Sequence, residues 1–310
     1  MATRIDCDLP FSVGVVNSEV SSDVNVGVDV AADLGMSQIE IEDFWGRAAH
    51  ECDDALVKRT RAAVDSAGLY VSAVGTQAFK ILILPPGDVG DLASIDGWDQ
   101  HRIELEGGIR VAQALGSPFV RIFSCRRDDM VGMGNPSPRL PDGGPVPADR
   151  LAGIAAVLRD AGDRADAAGV TLLVENVRSC WGNTAVNTVR ILEATDHPRV
   201  KLNWDPSNDF VSGGNPFPPG YAIARPWIEH VHIKDASVVN HSTGLIAWEC
   251  VGRGEVDFVG QLRALIDDGF AGAVNLETHW HPEHRSKEAN SRESFAGMLA
   301  ALELAQRNGA

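Results

Sequence analysis

Residues 169–205 read GVTLLVENVRSCWGNTAVNTVRILEATDHPRVKLNWD. Two β-rich runs, Val170 to Glu175 and Val200 to Asp205, stand at its ends. In each run apolar side chains recur at every second position and the run closes on a carboxylate, the period of a strand with two unlike faces. The same spacing extends in both directions. β-rich runs recur at 11–16, 38–42, 70–75, 119–123, 170–175, 200–205, 228–234 and 273–277, with a helical period between most successive pairs. Ala55, Val57, Ala62, Ala63 and Val64 form one apolar helix stripe, and Leu151, Ile154, Ala155, Leu158 and Ala165 form another. Gly35, Gly68, Gly116, Gly169 and Gly269 each sit where the chain leaves a helix and needs a left-handed residue. Strand and helix in alternation require a parallel sheet, because a parallel return needs a crossover. Eight such units predict an α/β fold of the (β/α)8 TIM-barrel type. A doubly wound open sheet is the alternative, but no Gly-x-Gly-x-x-Gly turn follows the first strand.

Length suits one barrel domain over residues 1–310, with 44% apolar residues to fill it. Acidic residues outnumber basic ones by 43 to 27, and a formal charge of -16 argues against nucleic acid, which is held by many cationic phosphate contacts. No apolar leader segment and no apolar run of about 18 residues is present, so a cytoplasmic protein without a membrane partner is expected. The five cysteines lack any Cys-x-x-Cys pair and read as reduced. Pro/Gly-rich stretches at 85–97, 126–147, 206–220 and 236–254 each follow a strand and read as long loops. In a barrel all four rise from the C-terminal face, where barrel enzymes build their sites, and together they suggest a covered cleft.

Strand parity then sorts the polar residues. Thr171, Leu173 and Glu175 point inward on the fifth strand, Asn203 and Asp205 on the sixth, His230, His232 and Lys234 on the seventh, and Asn275, Glu277 and then His279 on the eighth. Carboxylates are not buried cheaply without a partner. Glu175, Asp205 and Glu277 all fall at the ends of their strands beside His232, within reach of one divalent cation. Such a donor set suits manganese first, with magnesium, cobalt or zinc as alternatives. The competing arrangement is a buried ion-pair network with Lys234 and arginines.

Five motifs carry a resemblance: Leu-Leu-Val-Glu-Asn (172–176), Leu-Asn-Trp-Asp-Pro-Ser-Asn (202–208), His-Val-His-Ile-Lys-Asp (230–235), Gly-Arg-Gly-Glu-Val-Asp-Phe (252–258) and Leu-Glu-Thr-His (276–279). In this order they resemble the xylose-isomerase-like barrels, which include sugar isomerases and epimerases of the tagatose/psicose 3-epimerase kind and DNA-repair endonucleases of the same fold. The resemblance implies that Glu175, Asp205, His232 and Glu277 bind the metal and that Glu175 and Glu277 are the catalytic acid and base, on opposite faces of the substrate carbon. Those epimerases often carry a histidine three residues after the metal aspartate, where this chain has Asn208. The nuclease relatives need further histidines, yet the third and fourth strands end near Thr76, Gln77, Ser124 and Cys125.

The implied reaction is that of a metal-dependent isomerase or epimerase, acting on a keto-sugar or polyol through a metal-stabilised enediolate. Expulsion of a β-leaving group from the same intermediate would instead make the protein a lyase, of the inosose- or dehydroshikimate-dehydratase or C-glycoside-cleaving kind. A third reading is a non-catalytic metal-containing binding subunit. His230, Lys234, His279, Asn208, Arg253, Glu42 and Trp45 are the candidate substrate contacts; Glu40, Trp181 and Trp280 stand beside them as sugar-binding or wall residues. Which sugar, and whether the chain works as a homo-oligomer or with a partner subunit, is left open.

Overall fold

The computed structural model describes residues 5, 9–87, 89–128 and 144–307. The described strands, in chain order, are β1 (Ser12–Val16), β2 (Gln38–Ile41), β3 (Tyr70–Gly75), β4 (Phe119–Ile122), β5 (Thr171–Glu175), β6 (Val200–Trp204), β7 (Ile228–Ile233), β8 (Asp235–Asn240), β9 (Leu245–Glu249) and β10 (Ala273–Leu276). Eight of them close into a barrel in the order β1, β10, β7, β6, β5, β4, β3, β2, and every ladder is parallel. Closure is made by β1 on β10, with Ser12 opposite Ala273 and Val15 opposite Leu276.

The helices are α1 (Val24–Asp33), α2 (Asp54–Ser66), α3 (Trp98–Leu115), α4 (Ala148–Ala168), α5 (Ala185–Thr195), α6 (Pro206–Val211), α7 (Tyr221–Ala224), α8 (Phe258–Asp267) and α9 (Lys287–Arg307). Asp23, Asp53, Thr184 and Asp257 cap α1, α2, α5 and α8 by accepting backbone N–H bonds that the first turn leaves unmade. At the other ends of α3 and α4, Gly116 and Gly169 adopt φ of 68° and 72°, where a side chain would be strained. The apolar outer strand faces, such as Val13, Ile39, Leu172 and Val231, meet the helices in one continuous buried layer. Trp204 shares that face and turns its indole N–H toward Gln261 of α8.

Inside the barrel the lower layer is polar. Asn275 Nδ2 lies 3.2 Å from Glu40 Oε2, 3.2 Å from Ser72 Oγ and 3.1 Å from His230 Nε2, while His230 Nδ1 meets Asn203 Oδ1 at 3.0 Å. Gln38 joins Asn275 through its amide, and Gly14 leaves the room for it: a Cβ there would run into the Gln38 side chain. A solid hydrogen-bonded floor therefore lies beneath the mouth.

Two stretches read as loops are structured. Residues 236–254 contain most of the β8–β9 antiparallel hairpin, because alternate residues Ala236, Val238 and Ile246 find an apolar partner in Phe210 and Val211 of α6. Residues 206–220 begin with α6, whose first turn accepts Pro206 and is capped by Asp205, and end in a helical turn at Pro216–Gly220. Leu92–Ser94 of the 85–97 stretch is a single 3-10 turn. Most of the 126–147 stretch, residues 129–143, lies outside the described residues, as does Cys7. Cys52, Cys125, Cys180 and Cys250 are buried free thiols. Among the described residues no helix is long and apolar enough to cross a membrane.

Candidate metal centre

β5, β6, β7 and β10 are neighbours around the barrel, and their last inward side chains meet at its C-terminal mouth. One donor atom from each of Glu175, Asp205, His232 and Glu277 lies within 4.8 Å of the other three. All four residues are buried; Glu277, at 6% exposed, is the least covered.

Each donor is held from behind. His232 Nε2 is 2.8 Å from Glu40 Oε2, which turns Nδ1 toward the cluster, 3.3 Å from Glu277 Oε2 and 3.8 Å from Glu175 Oε1. Asp205 Oδ1 accepts from the Asn208 backbone N–H at 2.7 Å as the α6 cap, leaving Oδ2 to face inward. Asn208 Nδ2 donates to Glu175 Oε1 at 3.0 Å, and Arg121 Nη1 to Glu175 Oε2 at 3.1 Å. Asn176 braces Asp205 through both backbone groups, N–H and carbonyl, at 2.8 Å each.

Two protein cations enter the same space. Lys234 Nζ lies 2.7 Å from Asp205 Oδ2, 2.5 Å from Glu277 Oε2 and 3.8 Å from Glu175 Oε1. Arg121 reaches Glu40, Glu42 and Glu175 with its three nitrogens. Burial and Glu277 would raise the Glu175 carboxyl, yet Arg121, His232 and Lys234 hold it below the usual carboxylate range. Burial would raise Glu277 as well, but Lys234, His279 and His232 hold it well below. Asp205 goes the other way, raised by burial and by the two glutamates against the pull of Lys234. His232 is raised well above the ordinary imidazole despite its burial, because Glu40 and Glu277 flank it. His230, one layer deeper, is pushed down to about 4 by burial.

These residues fit a divalent cation. Four buried carboxylates (Glu40, Glu175, Asp205, Glu277) face Arg121 and Lys234, so two negative charges are left when all four are ionised and His232 is neutral, the state in which they would serve as donors. Buried charge of that size needs compensation. His232 Nδ1 and Asp205 Oδ2 are both fully buried and turned into the cluster, Nδ1 3.3 Å from Glu277 Oε2 and Oδ2 paired with Lys234 Nζ at 2.7 Å. Three carboxylates and an imidazole braced by Glu40 form a donor set for a hard or borderline ion such as manganese or magnesium.

The remaining candidates divide. Asn208 and Lys234 touch the cluster. His279, in a left-handed conformation (φ 49°), brings Nε2 to 3.5 Å from Glu277 Oε1 and 3.7 Å from Glu19 Oε1. Glu42 is tied to Arg121 and to Ser18 Oγ at 2.5 Å. His230 faces inward, but both its ring nitrogens are committed to Asn203 and Asn275 below the mouth. Arg253 is exposed and pairs with Glu293 of α9 at 2.6 Å, over the Trp280 ring. The glycines flanking Arg253 serve Asp235 instead: the Gly252 and Gly254 N–H groups each donate to its Oδ2 at 2.9 Å, and a Cβ on Gly254 would collide with that carboxylate. Trp45 donates to Asp23 at 3.0 Å beneath the Arg59 guanidinium. Trp181 is buried between Arg127 and Arg150. Glu40, read as a sugar contact, is fully buried and braces His232.

Sequence reasoning passed over Arg121, Glu19 and Trp248. Trp248 reaches back from the hairpin, its ring 5.2 Å from His279 and 5.6 Å from Lys234 Nζ. The signal for Arg121 was a lone charge on an apolar strand, Phe119-Val-Arg-Ile-Phe123.

The model of the xylose isomerase-like TIM barrel family matches residues 28–302. A 3-dehydroshikimate dehydratase of Bacillus anthracis is 31% identical over 70 residues, 23% of this chain and 25% of that protein, so the match spans a quarter of that relative's length. A xylose isomerase domain protein from Planctomyces limnophilus superposes with a TM-score of 0.70 at 17% identity, covering 96% of this chain and 98% of the other. An L-ribulose 3-epimerase gives 0.67 at 20% identity, covering 96% and 97%. A barrel protein from Mycobacterium smegmatis in complex with magnesium gives 0.68 at 17%, covering 98% and 100%. At such identities the superpositions speak for the fold alone. The family match, running from within α1 into α9 and taking in seven of the eight barrel strands, makes this chain a member of the xylose isomerase-like TIM barrel family.

Proposed function

We propose that the chain is a divalent-metal-dependent isomerase or epimerase that shifts a proton at the carbon beside the carbonyl of a keto-sugar or of a polyol that bears a carbonyl. The observation that carries this reading is the convergence of Glu175, Asp205, His232 and Glu277 on one point at the barrel mouth. A divalent ion bound there polarises a substrate carbonyl and lowers the cost of the negative charge that develops when the neighbouring C–H bond breaks.

The side chains account for the proton. Glu277 is the least covered of the three donor carboxylates and is kept ionised, so it is assigned as the base. Glu175, pinned by Arg121 and Asn208, is assigned to the opposite face. Lys234 holds a substrate oxygen from its place beside Glu277, and the Trp248 ring with His279 walls that side against water. Return of the proton to the same carbon from the other face gives an epimer, and to the adjacent carbon an isomer.

A second reading, elimination, is favoured by two observations: the identity shared with a dehydratase over 70 residues, and Asn208 in place of the histidine that the epimerases often carry. Incubating the metal-loaded protein with a panel of keto-sugars and with 3-dehydroshikimate in deuterated water separates the two by NMR. Deuterium entering an intact carbon skeleton supports isomerisation or epimerisation, and a new unsaturated product supports elimination. No exchange and no product with any compound would count against both.

A further inference from the structure

We infer that Arg121 is the positioning residue of the centre: its guanidinium fixes Glu175 directly and the His232 ring through Glu40, so that both donors are aimed before any cation arrives. The inference rests on the metal reading above and concerns how the chain builds the donor set.

Arg121 is 2% exposed and divides its three nitrogens among three carboxylates. Nε meets Glu40 Oε1 at 3.2 Å, Nη1 meets Glu175 Oε2 at 3.1 Å, and Nη2 meets Glu42 Oε2. The planar fork spreads five donors over three nitrogens and so reaches three separate carboxylates at once, whereas an ammonium presents its three donors from a single atom. The fork is confined on two sides. Its carbon lies 5.0 Å from the centre of the Phe123 ring, and Gly75, its register partner on β3, leaves the space it needs. A Cβ on Gly75 would stand 2.9 Å from Arg121 Nη2 and 2.5 Å from Glu42 Cβ.

The consequence runs outward along two lines. Glu40 has one oxygen on Arg121, and its other oxygen accepts the hydrogen bond of His232 Nε2–H at 2.8 Å, which leaves His232 Nδ1 facing the cluster. A carboxylate behind a ligating histidine fixes the ring and its tautomer. Glu175 has Oε2 on Arg121, so Oε1 is the oxygen turned toward His232 and Lys234. Without the guanidinium, Glu40, Glu42 and Glu175 would face one another with no cation between them, and nothing on that side would hold Glu175 or the Glu40–His232 pair in place.

The test measures Mn2+ binding by calorimetry and the imidazole nitrogen coupling of the bound ion by pulsed EPR, on the full chain and on Arg121→Lys and Glu40→Gln. Arg121→Lys keeps the charge but loses the fork; Glu40→Gln keeps the shape but loses the anion behind His232. Both are expected to bind Mn2+ about 10- to 100-fold more weakly, the usual effect of removing a partner behind a metal ligand. In Glu40→Gln the nitrogen coupling is expected to weaken or vanish. A variant that melts lower yet binds Mn2+ as tightly as the wild type, with the same coupling, has lost only packing and overturns the inference. Should Arg121→Lys fail to fold, Glu40→Gln decides alone by the same outcomes. A wild-type chain that binds no Mn2+ removes the metal reading and this inference with it, whereas wild-type binding with unaffected variants removes the inference only.

Discussion

Replacing Lys234 by methionine takes one ammonium from between Asp205 and Glu277 at little cost in volume. Nζ is 2.7 Å and 2.5 Å from those two carboxylates, and the side chain is 1% exposed. Deleting one partner of a buried ion pair costs ~3–5 kcal/mol, since the other charge stays buried without its counterpart. In a domain of this size that loss lowers Tm by on the order of 5–10 °C. The same two carboxylates belong to the proposed cation site, so ammonium and ion repel one another across it. At an effective dielectric of about 20, unit charges about 4 Å apart interact by roughly 4 kcal/mol. Even a fraction of that exceeds the ~1.4 kcal/mol that makes a tenfold change in Kd. Thermal unfolding should therefore be followed in chelator and across a Mn2+ titration. Lys234→Met is expected to melt lower than the wild type in chelator, then to gain more from Mn2+ and at lower concentrations. A variant as stable as the wild type in chelator, with the same response to Mn2+, would refute the placement of Lys234 among the donors.

Glu277→Gln should slow deuterium exchange into a substrate by ~10²–10⁴-fold, the usual worth of a positioned base, and an unchanged exchange rate measured by NMR would overturn that assignment. Asp209 offers a test of stability against pH. Its Oδ1 accepts from Ala185 N–H at 2.6 Å, its Oδ2 has no hydrogen-bond partner, and burial pushes the carboxyl up to about 6. A folded value above the unfolded one near 4 means that its favourable contribution is complete below about pH 4 and is lost as pH rises past 6. Asp209→Asn should accordingly be more stable than the wild type at pH 7 by about 2–3 kcal/mol in urea unfolding and lose the slope between pH 4 and 6. Parallel slopes in the two proteins would contradict this.

The barrel was legible because its two periods are written into the chain. Strand parity alone separates Val231 and Ile233, which meet the helices, from His230, His232 and Lys234, which line the interior. What parity cannot give is depth along the axis or the partner across the barrel. His230 and His232 share a face of one strand, yet one lies in the hydrogen-bonded floor and the other at the mouth, and which partners each level meets is set by the stagger of neighbouring strands. The role of Glu40 depended on His232, 192 positions away in the chain, and that of Arg121 on three carboxylates from two other strands. The hairpin was hidden for a related reason. Its alternation over Ala236, Val238 and Ile246 is short, and its apolar partner is the surface of α6, so residues 236–254 read as a loop from composition. Arg253 stood among the candidate substrate contacts; here the glycines on either side of it serve the buried Asp235 carboxylate and the arginine pairs with Glu293 of α9.

Metal content, measured by elemental mass spectrometry on protein dialysed against Mn2+ and then gel-filtered, tests the account most directly. One ion per chain is expected in the wild type and none retained in Asp205→Ala, with both proteins folded by circular dichroism. A wild-type chain that elutes without metal, or an Asp205→Ala variant that keeps as much, would contradict it.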